Sequence, residues 1–412
     1  MNKSPRLVAL ETLYSIFYDG SYSNIALDKA LSDIKENKAF ISALVYGATE
    51  RKITLDYFID KYAQGRIKPK VRIVLWLGAY QLLFMDKVPS SASINESVKL
   101  VKEIKQDYYS KLVNAVLHKI DNDRQIPDDL SVKYSVPENL INMWKKQYGE
   151  DVLNEFLPCI NDKPPLFAIP NKKFVNSDEL LYELECDGIL GEAYDEFVLI
   201  ENANDLTDSK AFKNGLFYIE DLSSFNCANA LDALGDDLVL DMCSAPGGKA
   251  FTISQSMNNS GKIYCYDLHE HRLNLIKSSA KRLSIDNIYT DVNDATVYNE
   301  NIPKADKILC DVPCSGFGII RRKPEIRYKD LDSVKDLPQI QYKILETSSR
   351  YLKDGGRIIY STCTLNKKEN ENVVNKFLKD HSGYKLLKDK TVFPSTVGGD
   401  GFYYAIMVKN EN

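Results

Sequence analysis

The sequence passes from an apolar run into a glycine-containing loop at Leu238-Val-Leu-Asp-Met-Cys-Ser-Ala-Pro-Gly-Gly-Lys249. The apolar run predicts a buried strand, and residues 250–257 predict a helix directly after the loop. The two glycines allow the backbone to approach a ligand closely, and the amides at the start of the helix carry a partial positive charge. The loop therefore predicts a site for a ligand with a carboxylate or phosphate group.

This loop differs from two widespread nucleotide-binding patterns. It lacks the G-x-G-x-x-G arrangement of dinucleotide-binding turns. It also lacks the first glycine of G-x-x-x-x-G-K-[ST], and Ala250 stands where that pattern requires Ser or Thr. A dinucleotide-dependent dehydrogenase and a nucleoside triphosphatase are therefore both disfavoured.

The sequence on either side of the loop alternates between strand and helix patterns. Short apolar runs stand at 238–242, 262–267, 307–311 and 356–361, and helical patterns stand at 250–257, 271–283 and 337–352. This alternation predicts an α/β domain with a parallel sheet and helices on both faces. Because ligands bind such sheets at the carboxyl ends of the strands, the reactive residues are expected there.

Three acidic residues follow or end these strands. Asp267 ends the second strand, 18 residues after Lys249, where a carboxylate can accept hydrogen bonds from two ribose hydroxyls. Asp294 lies in the next loop, and Asp311 ends the third strand. Together with the loop, these acids suit an adenosine that carries a charged tail. As single residues they could instead cap helices or lie in solvated loops.

Two cysteines lie just beyond strand ends. Cys314 stands in Asp-Val-Pro-Cys-Ser-Gly after the third strand, and Cys363 stands in Ser-Thr-Cys-Thr after the fourth. Loops at such positions hold ligand-facing residues, so a functional role is favoured for both cysteines. Cys265 and Cys310 lie inside predicted strands, where a free cysteine commonly serves only to pack.

The first 125 residues show helical periodicity throughout. Apolar residues recur at three- and four-residue steps in segments 6–17, 38–62, 70–85, 93–104 and 111–119. This part carries 19 Lys and Arg against 14 Asp and Glu, whereas the rest of the chain carries 34 against 44. The basic excess is a weak indication of RNA binding, because a solvated helical surface can also carry it.

The pattern changes between residues 126 and 220, where prolines divide the chain into short segments. Helices are predicted at 138–148 and 177–185, and strands at 166–169, 197–200 and 216–219. These short elements predict a connector followed by a small α+β subdomain.

Motifs in both halves resemble known domains. In the first half, Leu-Val-Tyr-Gly at 44–47, Gly-Ala-Tyr-Gln-Leu-Leu at 78–83 and Leu-Val-Asn-Ala-Val-Leu at 112–117 resemble the NusB-like RNA-binding domain in order and spacing. In the second half, the loop, the two cysteine motifs and Gly-Phe-Tyr at 401–403 resemble the catalytic domain of S-adenosylmethionine-dependent RNA cytosine-C5 methyltransferases. The two resemblances occur together in certain rRNA methyltransferases.

The resemblance implies a multidomain chain. An all-α NusB-like domain would occupy residues 1–125, and a helical linker with a small α+β RNA-binding subdomain would occupy 126–220. A Rossmann-like class I methyltransferase domain of the α/β type would occupy 221–412.

The resemblance also implies a reaction and its residues. Cys363 would be the nucleophile that adds to C6 of a cytosine, Cys314 would assist product release, and Asp311 would hydrogen-bond or protonate N3. The product would be a C5-methylated cytosine of 16S rRNA, of the cytosine-967 type. The cofactor S-adenosyl-L-methionine would contact Cys243, Ser244, Ala245, Pro246, Gly247, Gly248, Lys249, Asp267, Asp294 and Asp311.

A basic cluster, Arg321-Arg322-Lys323, follows Cys314 by a few residues and has the charge to hold an RNA backbone, although a solvated charge run is the alternative. Two other functions stay open. A tRNA cytosine-C5 methyltransferase would share the catalytic domain but generally lacks the NusB-like domain. A catalytically silent RNA-binding assembly factor would have no need of Cys314 and Cys363.

The overall composition excludes several classes of protein. The chain has 412 residues, of which 44% are hydrophobic and 27% are charged, as in folded multidomain proteins. Its longest apolar stretch, residues 73–85, falls short of the roughly 20 residues that a bilayer span needs. No signal peptide is apparent, so a cytoplasmic location is expected. Eight cysteines and four histidines lack zinc-finger spacing, so no metal is expected. We expect a monomer whose partner is 16S rRNA.

Overall fold

The computed structural model describes residues 3–202, 206–394 and 398–411. By its contacts the chain divides into two compact units. One, here called the helical unit, comprises Met1–Asp162 with Ile320–Asp330, and the other, the sheet unit, comprises Lys163–Ile319 with Leu331–Asn412. Residues 126–162 thus group with the N-terminal helices, while the domain boundaries near residues 125 and 220 stay predictions. Within the described part of the chain, no helix has the length and apolar character needed to cross a membrane.

In the helical unit, the helices between residues 5 and 122 pack around one apolar core, as the periodicity predicts. Ser4 begins the first helix by accepting a hydrogen bond from the Leu7 amide at 3.2 Å, with Pro5 in the first helical position. Its helices are α1 (Pro5–Tyr18), α2 (Ser23–Leu31), α3 (Lys38–Glu50), α4 (Lys52–Tyr62), α5 (Pro69–Phe84), α6 (Ser90–Glu103), α7 (Ser110–Asn122), α8 (Leu130–Tyr134), α9 (Glu138–Tyr148) and α10 (Glu150–Phe156).

Two details of this unit differ from the periodicity. The single helix expected over 38–62 is divided at Arg51, whose backbone (φ −101°, ψ 12°) leaves the helical region. Helix α2 is the second difference, because the periodicity did not predict it. It buries only Ser23 and Leu27, so it lacks the apolar stripe by which a helix is recognised in sequence.

A segment from the second half of the chain, Ile320–Asp330, packs inside the helical unit, and we call it the inserted segment. Its Arg327 is 1% exposed. The Arg327 guanidinium donates hydrogen bonds to the Glu50 carbonyl at 3.0 Å and to Asn161 Oδ1 at 2.8 Å. The Tyr328 hydroxyl donates to the Thr49 carbonyl at 2.7 Å. The segment is therefore held by two main-chain carbonyls at the end of α3 and by the side chain of Asn161.

The sheet unit begins with a small antiparallel sheet of four strands. Helix α11 (Ser177–Cys186) begins with a reciprocal pair of hydrogen bonds between Asn176 and Glu179, which satisfies two backbone donors. The remaining elements are β1 (Leu166–Pro170), β2 (Gly191–Ala193), β3 (Val198–Ile200), β4 (Phe217–Ile219) and the short helix α12 (Lys210–Lys213). This arrangement confirms a small α+β subdomain.

A seven-stranded sheet follows, with helices on both faces. The helices between residues 222 and 282 pack on one face and those between residues 337 and 380 on the other. The strands are β5 (Leu238–Asp241), β6 (Lys262–Asp267), β7 (Ile288–Val292), β8 (Ala305–Asp311), β9 (Leu352–Thr362), β10 (Tyr384–Val392) and β11 (Phe402–Lys409), and the helices are α13 (Leu222–Asn229), α14 (Gly248–Ser256), α15 (Glu270–Arg282), α16 (Leu337–Ser349) and α17 (Glu371–Asp380).

The four strands predicted from the sequence run parallel, as expected, but the sheet as a whole is mixed. Strands β5 to β9 run parallel, but β11 pairs antiparallel with both β9 and β10, in the order β10-β11-β9-β8-β5-β6-β7. Strand β10 lies at the edge and exposes most of its residues, so it lacks the apolar run of a buried strand. The carboxyl ends of β5, β6, β8 and β9 nevertheless meet at one edge, as predicted, and this edge carries the candidate site.

Candidate active site

The loop between β5 and α14 has a backbone that requires glycine. Gly247 adopts φ 109° immediately before α14, a conformation that residues with a Cβ rarely adopt. A Cβ at Gly247 would lie 2.9 Å from Phe251 Cζ. The Ala245–Pro246 peptide bond is cis. The loop thus brings its main chain to the carboxyl edge of the sheet and exposes the amino end of α14 there.

The loop is tied to the end of the neighbouring strand β6. The Ser244 amide donates to the Tyr266 carbonyl at 2.8 Å. Arg272 of α15 bridges the two elements, because it donates to the Ala245 carbonyl at 2.7 Å and pairs with Asp267 Oδ2 at 3.0 Å. Asp267 is 3% exposed and also accepts the His269 amide. The structure therefore brings the predicted loop and Asp267 together.

Asp241, the last residue of β5, was absent from the predicted site. It is 1% exposed, and among the described residues neither of its carboxylate oxygens has a hydrogen-bond partner within 3.5 Å. Burial raises the pKa of this carboxyl to about 7. A buried carboxylate without donors is costly unless a ligand supplies them. Its position at a strand end, inside the quoted motif, is the sequence signal that could have identified it.

Lys249 is directed toward acidic groups. Its Nζ lies 2.7 Å from Asp311 Oδ2 and 5.3 Å from the centre of the Phe402 ring. Burial by itself lowers the pKa of Lys249, but the charges of Asp311 and Glu220 outweigh burial and raise it above its ordinary value. Lys249 is therefore a partly buried ammonium ion, with its side chain 13% exposed, at the junction of β5, β8 and β11.

Glu220 is a second acid that the sequence analysis missed. It follows β4, is 7% exposed, and accepts a hydrogen bond from Thr252 Oγ1 at 2.6 Å. Burial raises its pKa to about 7, although the charge of Lys249 opposes this. A Cβ on Gly248 would lie 3.1 Å from Glu220 Oε1, so the glycine makes room for this side chain. No short motif joins residues 220 and 248, which is why sequence reasoning did not find the contact.

Asp311 receives two donors at the end of β8. Lys249 Nζ donates to Oδ2, and Ser361 Oγ of the neighbouring strand β9 donates to Oδ1 at 2.8 Å. The side chain is 28% exposed. Its carboxylate is thus oriented by two neighbours and remains accessible from the edge of the sheet.

The two cysteine motifs converge beside this acid. Cys314 Sγ and Cys363 Sγ lie 3.2 Å apart, and both cysteines are free thiols. The hydrogen bond with Cys363 and burial together raise the pKa of Cys314 well above its ordinary value. Cys265 and Cys310, by contrast, are fully buried within their strands, as a packing role requires.

The close approach of the two loops depends on a second glycine. A Cβ on Gly318 would lie 1.9 Å from the Gly401 carbonyl oxygen. The Gly318 amide donates to the Cys363 carbonyl at 3.1 Å, and the Gly401 amide donates to the Gly318 carbonyl at 2.9 Å. Because any side chain at Gly318 would separate these backbones, the glycine keeps the Cys314 loop against the Cys363 loop.

Comparison with known proteins finds a matching family for each of two parts of the chain. Residues 228–408 match the family described as 16S rRNA methyltransferase RsmB/F, and residues 3–122 match the NusB family. A probable ribosomal RNA small subunit methyltransferase B from Bacillus subtilis is 33% identical and covers 98% of this chain and 99% of its own length. The chain belongs to the family of ribosomal RNA small subunit methyltransferases B.

Two further matches support the same membership. A probable methyltransferase B from Synechocystis sp. is 30% identical over 93% of this chain and 90% of its own length. The crystal structure of PH0851 superimposes with a TM-score of 0.83 at 27% identity, covering 99% of this chain and all of that chain. The predicted combination of a NusB-like domain with a Rossmann-like methyltransferase domain is confirmed.

Asp294 lies farther along the same edge of the sheet, after β7. It is exposed and accepts hydrogen bonds from the amide and the hydroxyl of Thr296 at 2.9 and 2.6 Å. The preceding Asn293 is buried, and its amide donates to the Asp267 carbonyl at 3.1 Å. Asp294 thus closes a turn beside Asp267, and its contact with a cofactor stays a prediction.

The basic cluster lies in the inserted segment of the helical unit. Arg321 is 6% exposed, while Arg322 and Lys323 are half-buried. Lys323 Nζ lies 5.5 Å from the centre of the Tyr22 ring. The cluster is therefore not a fully solvated charge run. The contact of this cluster with RNA stays a prediction. Arg322 and Lys323 are better suited to such a contact than Arg321, which is buried.

Proposed function

We propose that this chain methylates C5 of a cytosine in 16S rRNA, of the cytosine-967 type, with S-adenosyl-L-methionine as the methyl donor. The observation that carries the proposal is the pair of thiols 3.2 Å apart, next to an oriented carboxylate and a glycine loop at one edge of the sheet. A cytosine C5 methyl transfer needs a sulfur nucleophile, a group at N3 and a neighbouring methyl donor. Family membership supports rRNA as the substrate class.

The residues around the loop fit S-adenosyl-L-methionine. Asp241 offers two buried acceptor oxygens without donors, as a ligand ammonium group requires. Asp267 lies at the end of the next strand and can accept ribose hydroxyls, while the amides that begin α14 suit a carboxylate. When bound, the cofactor supplies an electrophilic methyl group on a sulfonium, which C5 of the base takes.

Each protein group then has a defined role. The Cys363 thiolate forms a bond to C6, and the electrons of the C5–C6 double bond become available at C5. Asp311, oriented by Lys249 and Ser361, acts in its protonated form: its O–H donates to N3 and stabilises the negative charge that the thiolate adds to the ring, and the proton returns to Asp311 when the C6–S bond breaks. After transfer, a base removes the C5 proton, the C6–S bond breaks, and Cys363 regains its electron pair. Cys314, in contact with the Cys363 sulfur, assists this release.

The test is transfer of a labelled methyl group from S-adenosyl-L-methionine to RNA, with purified 16S rRNA and bulk tRNA as parallel substrates. We expect label in 16S rRNA only, in a single cytosine after nuclease mapping. Label in tRNA alone would favour a tRNA cytosine-C5 methyltransferase. No label with rRNA, tRNA or small-subunit particles would favour a catalytically silent assembly factor.

A further inference from the structure

One buried carboxylate beside the two cysteine loops has no part in the proposed reaction. Glu369 lies in the turn before α17 and is 0% exposed. Its Oε2 accepts the Ser315 amide at 2.8 Å and Gln341 Nε2 at 2.9 Å, and its Oε1 accepts the Ser315 hydroxyl at 2.6 Å and Asn366 Nδ2 at 2.8 Å. Each oxygen has two donors, so the charge is fully solvated by protein groups.

These donors come from both loops. Ser315 directly follows Cys314, and Asn366 lies three residues beyond Cys363. Gln341, on α16, also donates to the carbonyl of the residue before Cys314 at 3.0 Å. The carboxylate therefore joins the two loops to each other and to a helix on one face of the sheet.

Further contacts join the loops directly. The hydroxyls of Ser315 and Thr364 lie 2.7 Å apart, and the Phe317 amide donates to Thr364 Oγ1 at 3.2 Å. Because strands β8 and β9 end before both cysteines, sheet pairing cannot by itself fix the separation of the two sulfurs. The contacts centred on Glu369 supply that constraint.

We propose that Glu369 is a positioning residue that holds the Cys314 and Cys363 loops in register, so that both sulfurs face one base. The inference rests on the proposed function and deepens it. A carboxylate is suited to this position because all four of its contacts come from donors. The amide of a glutamine would place an N–H₂ against two of these donors.

The charge of Glu369 has a second consequence. Together with the hydrogen bond between Cys314 and Cys363 and with burial, it contributes to the raised pKa of Cys314. Cys314 is therefore kept as a thiol, which suits a residue that acts after Cys363 has attacked. Removing the charge is expected to shift the pH profile of Cys314 alkylation by iodoacetamide toward lower pH, a change that a purely structural role would not produce.

The first experiment measures sulfur proximity without RNA. Diamide oxidises a thiol pair to a disulfide: two S–H bonds break, one S–S bond forms, and two electrons and two protons pass to diamide, which becomes a hydrazine. We expect rapid formation of the Cys314–Cys363 disulfide in the wild-type chain and slowing by about tenfold in Glu369→Gln, since small displacements carry large costs at such sites. Peptide mass mapping identifies the bridge.

The matched control is Glu371→Gln, the same substitution two residues away, where the carboxylate accepts a hydrogen bond from Thr391 at 3.4 Å. It should crosslink at the wild-type rate. Ser315→Ala is the milder test, because it removes one donor but leaves the Ser315 amide in place, and it should slow crosslinking by roughly threefold. Wild-type crosslinking in either Glu369→Gln or Ser315→Ala would overturn the proposal.

The second experiment measures methyl transfer and cofactor binding. In Glu369→Gln we expect kcat to fall on the order of 100-fold while the Kd for S-adenosyl-L-methionine stays unchanged. A variant that loses cofactor binding and crosslinking together would contradict a positioning role specific to the cysteine loops. If the wild-type chain methylated no RNA, the proposed function would fail, and the crosslinking assay would still test Glu369.

Discussion

The glycine loop at residues 243–249 and the inserted segment at Ile320–Asp330 both follow strands of the large sheet, and both carry a short motif. In the loop, the motif marks a backbone shape, and the structure has that shape beside Asp267. In the inserted segment, the motif marks positive charge, and the structure buries Arg321 of this motif within the helical unit. Glycine and proline restrict the backbone conformation at their own positions, so their effect is local. A charged side chain can lie on any surface of the fold, so its location does not follow from the motif.

Two arginines, one beside the loop and one in the inserted segment, show the same difference. Arg272 lies at the edge of the site and joins the loop to Asp267. Arg327 is buried in the helical unit, where carbonyl oxygens surround its guanidinium. The first is expected to influence ligand binding and the second stability, and this expectation can be tested in variants of the two regions.

The largest effect is expected from the two thiols. Cys363→Ala should lower methyl transfer by at least about 1,000-fold, the scale expected when a nucleophile is removed, while cofactor and RNA still bind. Cys314→Ala should transfer the methyl group and then stall, so that a covalent protein–RNA species accumulates. Denaturing gels of each variant with S-adenosyl-L-methionine and 16S rRNA make the comparison.

The same gels can reject this assignment. An adduct with Cys363→Ala but none with Cys314→Ala would exchange the roles of the two residues. No adduct with either variant would leave Cys314 as a structural residue of its loop.

The next largest effect is expected from Arg327→Met in the inserted segment. Loss of the buried guanidinium leaves several carbonyls without donors and should destabilise the helical unit by about 1–3 kcal/mol for each carbonyl left unpaired. Hydrogen exchange should rise in α3 and α8 and stay unchanged in β5 and α14, and cofactor affinity should be unaffected. Arg327→Lys keeps the charge but not the planar fork, so it should show an intermediate effect.

Unchanged exchange in α3 and α8 would show that Arg327 does not anchor the segment. The Arg327 variants test the inserted segment more specifically than a truncated chain does. A fragment starting near residue 130 should keep cofactor binding and lose rRNA affinity, but it also removes Thr49 and Glu50, which hold the inserted segment.

Asp267→Ala should weaken cofactor binding by about 1.5–3 kcal/mol, because it forfeits charge-assisted hydrogen bonds to the ribose. RNA affinity should stay nearly intact. Calorimetric titration with S-adenosyl-L-methionine measures the change, and Asp267→Asn, which keeps the shape, should be milder. An unchanged Kd in both variants would remove Asp267 from the ribose site.

The smallest effect is a pH dependence of stability from Glu220. Burial raises its pKa from 4.5 to about 7, so between these values the folded state holds a proton that the unfolded state has released. Stability from this group is therefore present below about pH 4.5 and is lost as the pH rises through about 7.

Glu220→Gln should remove this loss of stability. Its free energy of unfolding should exceed that of the wild type by on the order of 1 kcal/mol near pH 8, with little difference near pH 4. Thermal unfolding at the two pH values measures it, with the partly exposed Glu346→Gln as control. If Glu220→Gln changed the unfolding temperature equally at both pH values, Glu220 would be charged over this whole pH range.

Much of the site was predictable from sequence because its parts are local. A strand followed by a glycine-containing turn places residues 243–249 at the edge of the sheet, and the alternation of strands and helices brings Asp267, Asp311 and the two cysteines to the same edge. Helical periodicity likewise predicted the N-terminal helices, since one apolar face per helix suffices to build their core.

The tertiary structure alone decided the contacts between distant residues. Glu220 accepts a hydrogen bond from Thr252 and Glu369 joins two loops because burial places polar groups where only a specific partner can satisfy them, and no spacing in the sequence encodes that partner. The antiparallel β11 and the burial of the inserted segment have the same origin. The sequence by itself determined which backbone shapes and reactive groups the chain offers, whereas long-range packing decided which of them meet, because packing free energy depends on surfaces that the fold creates.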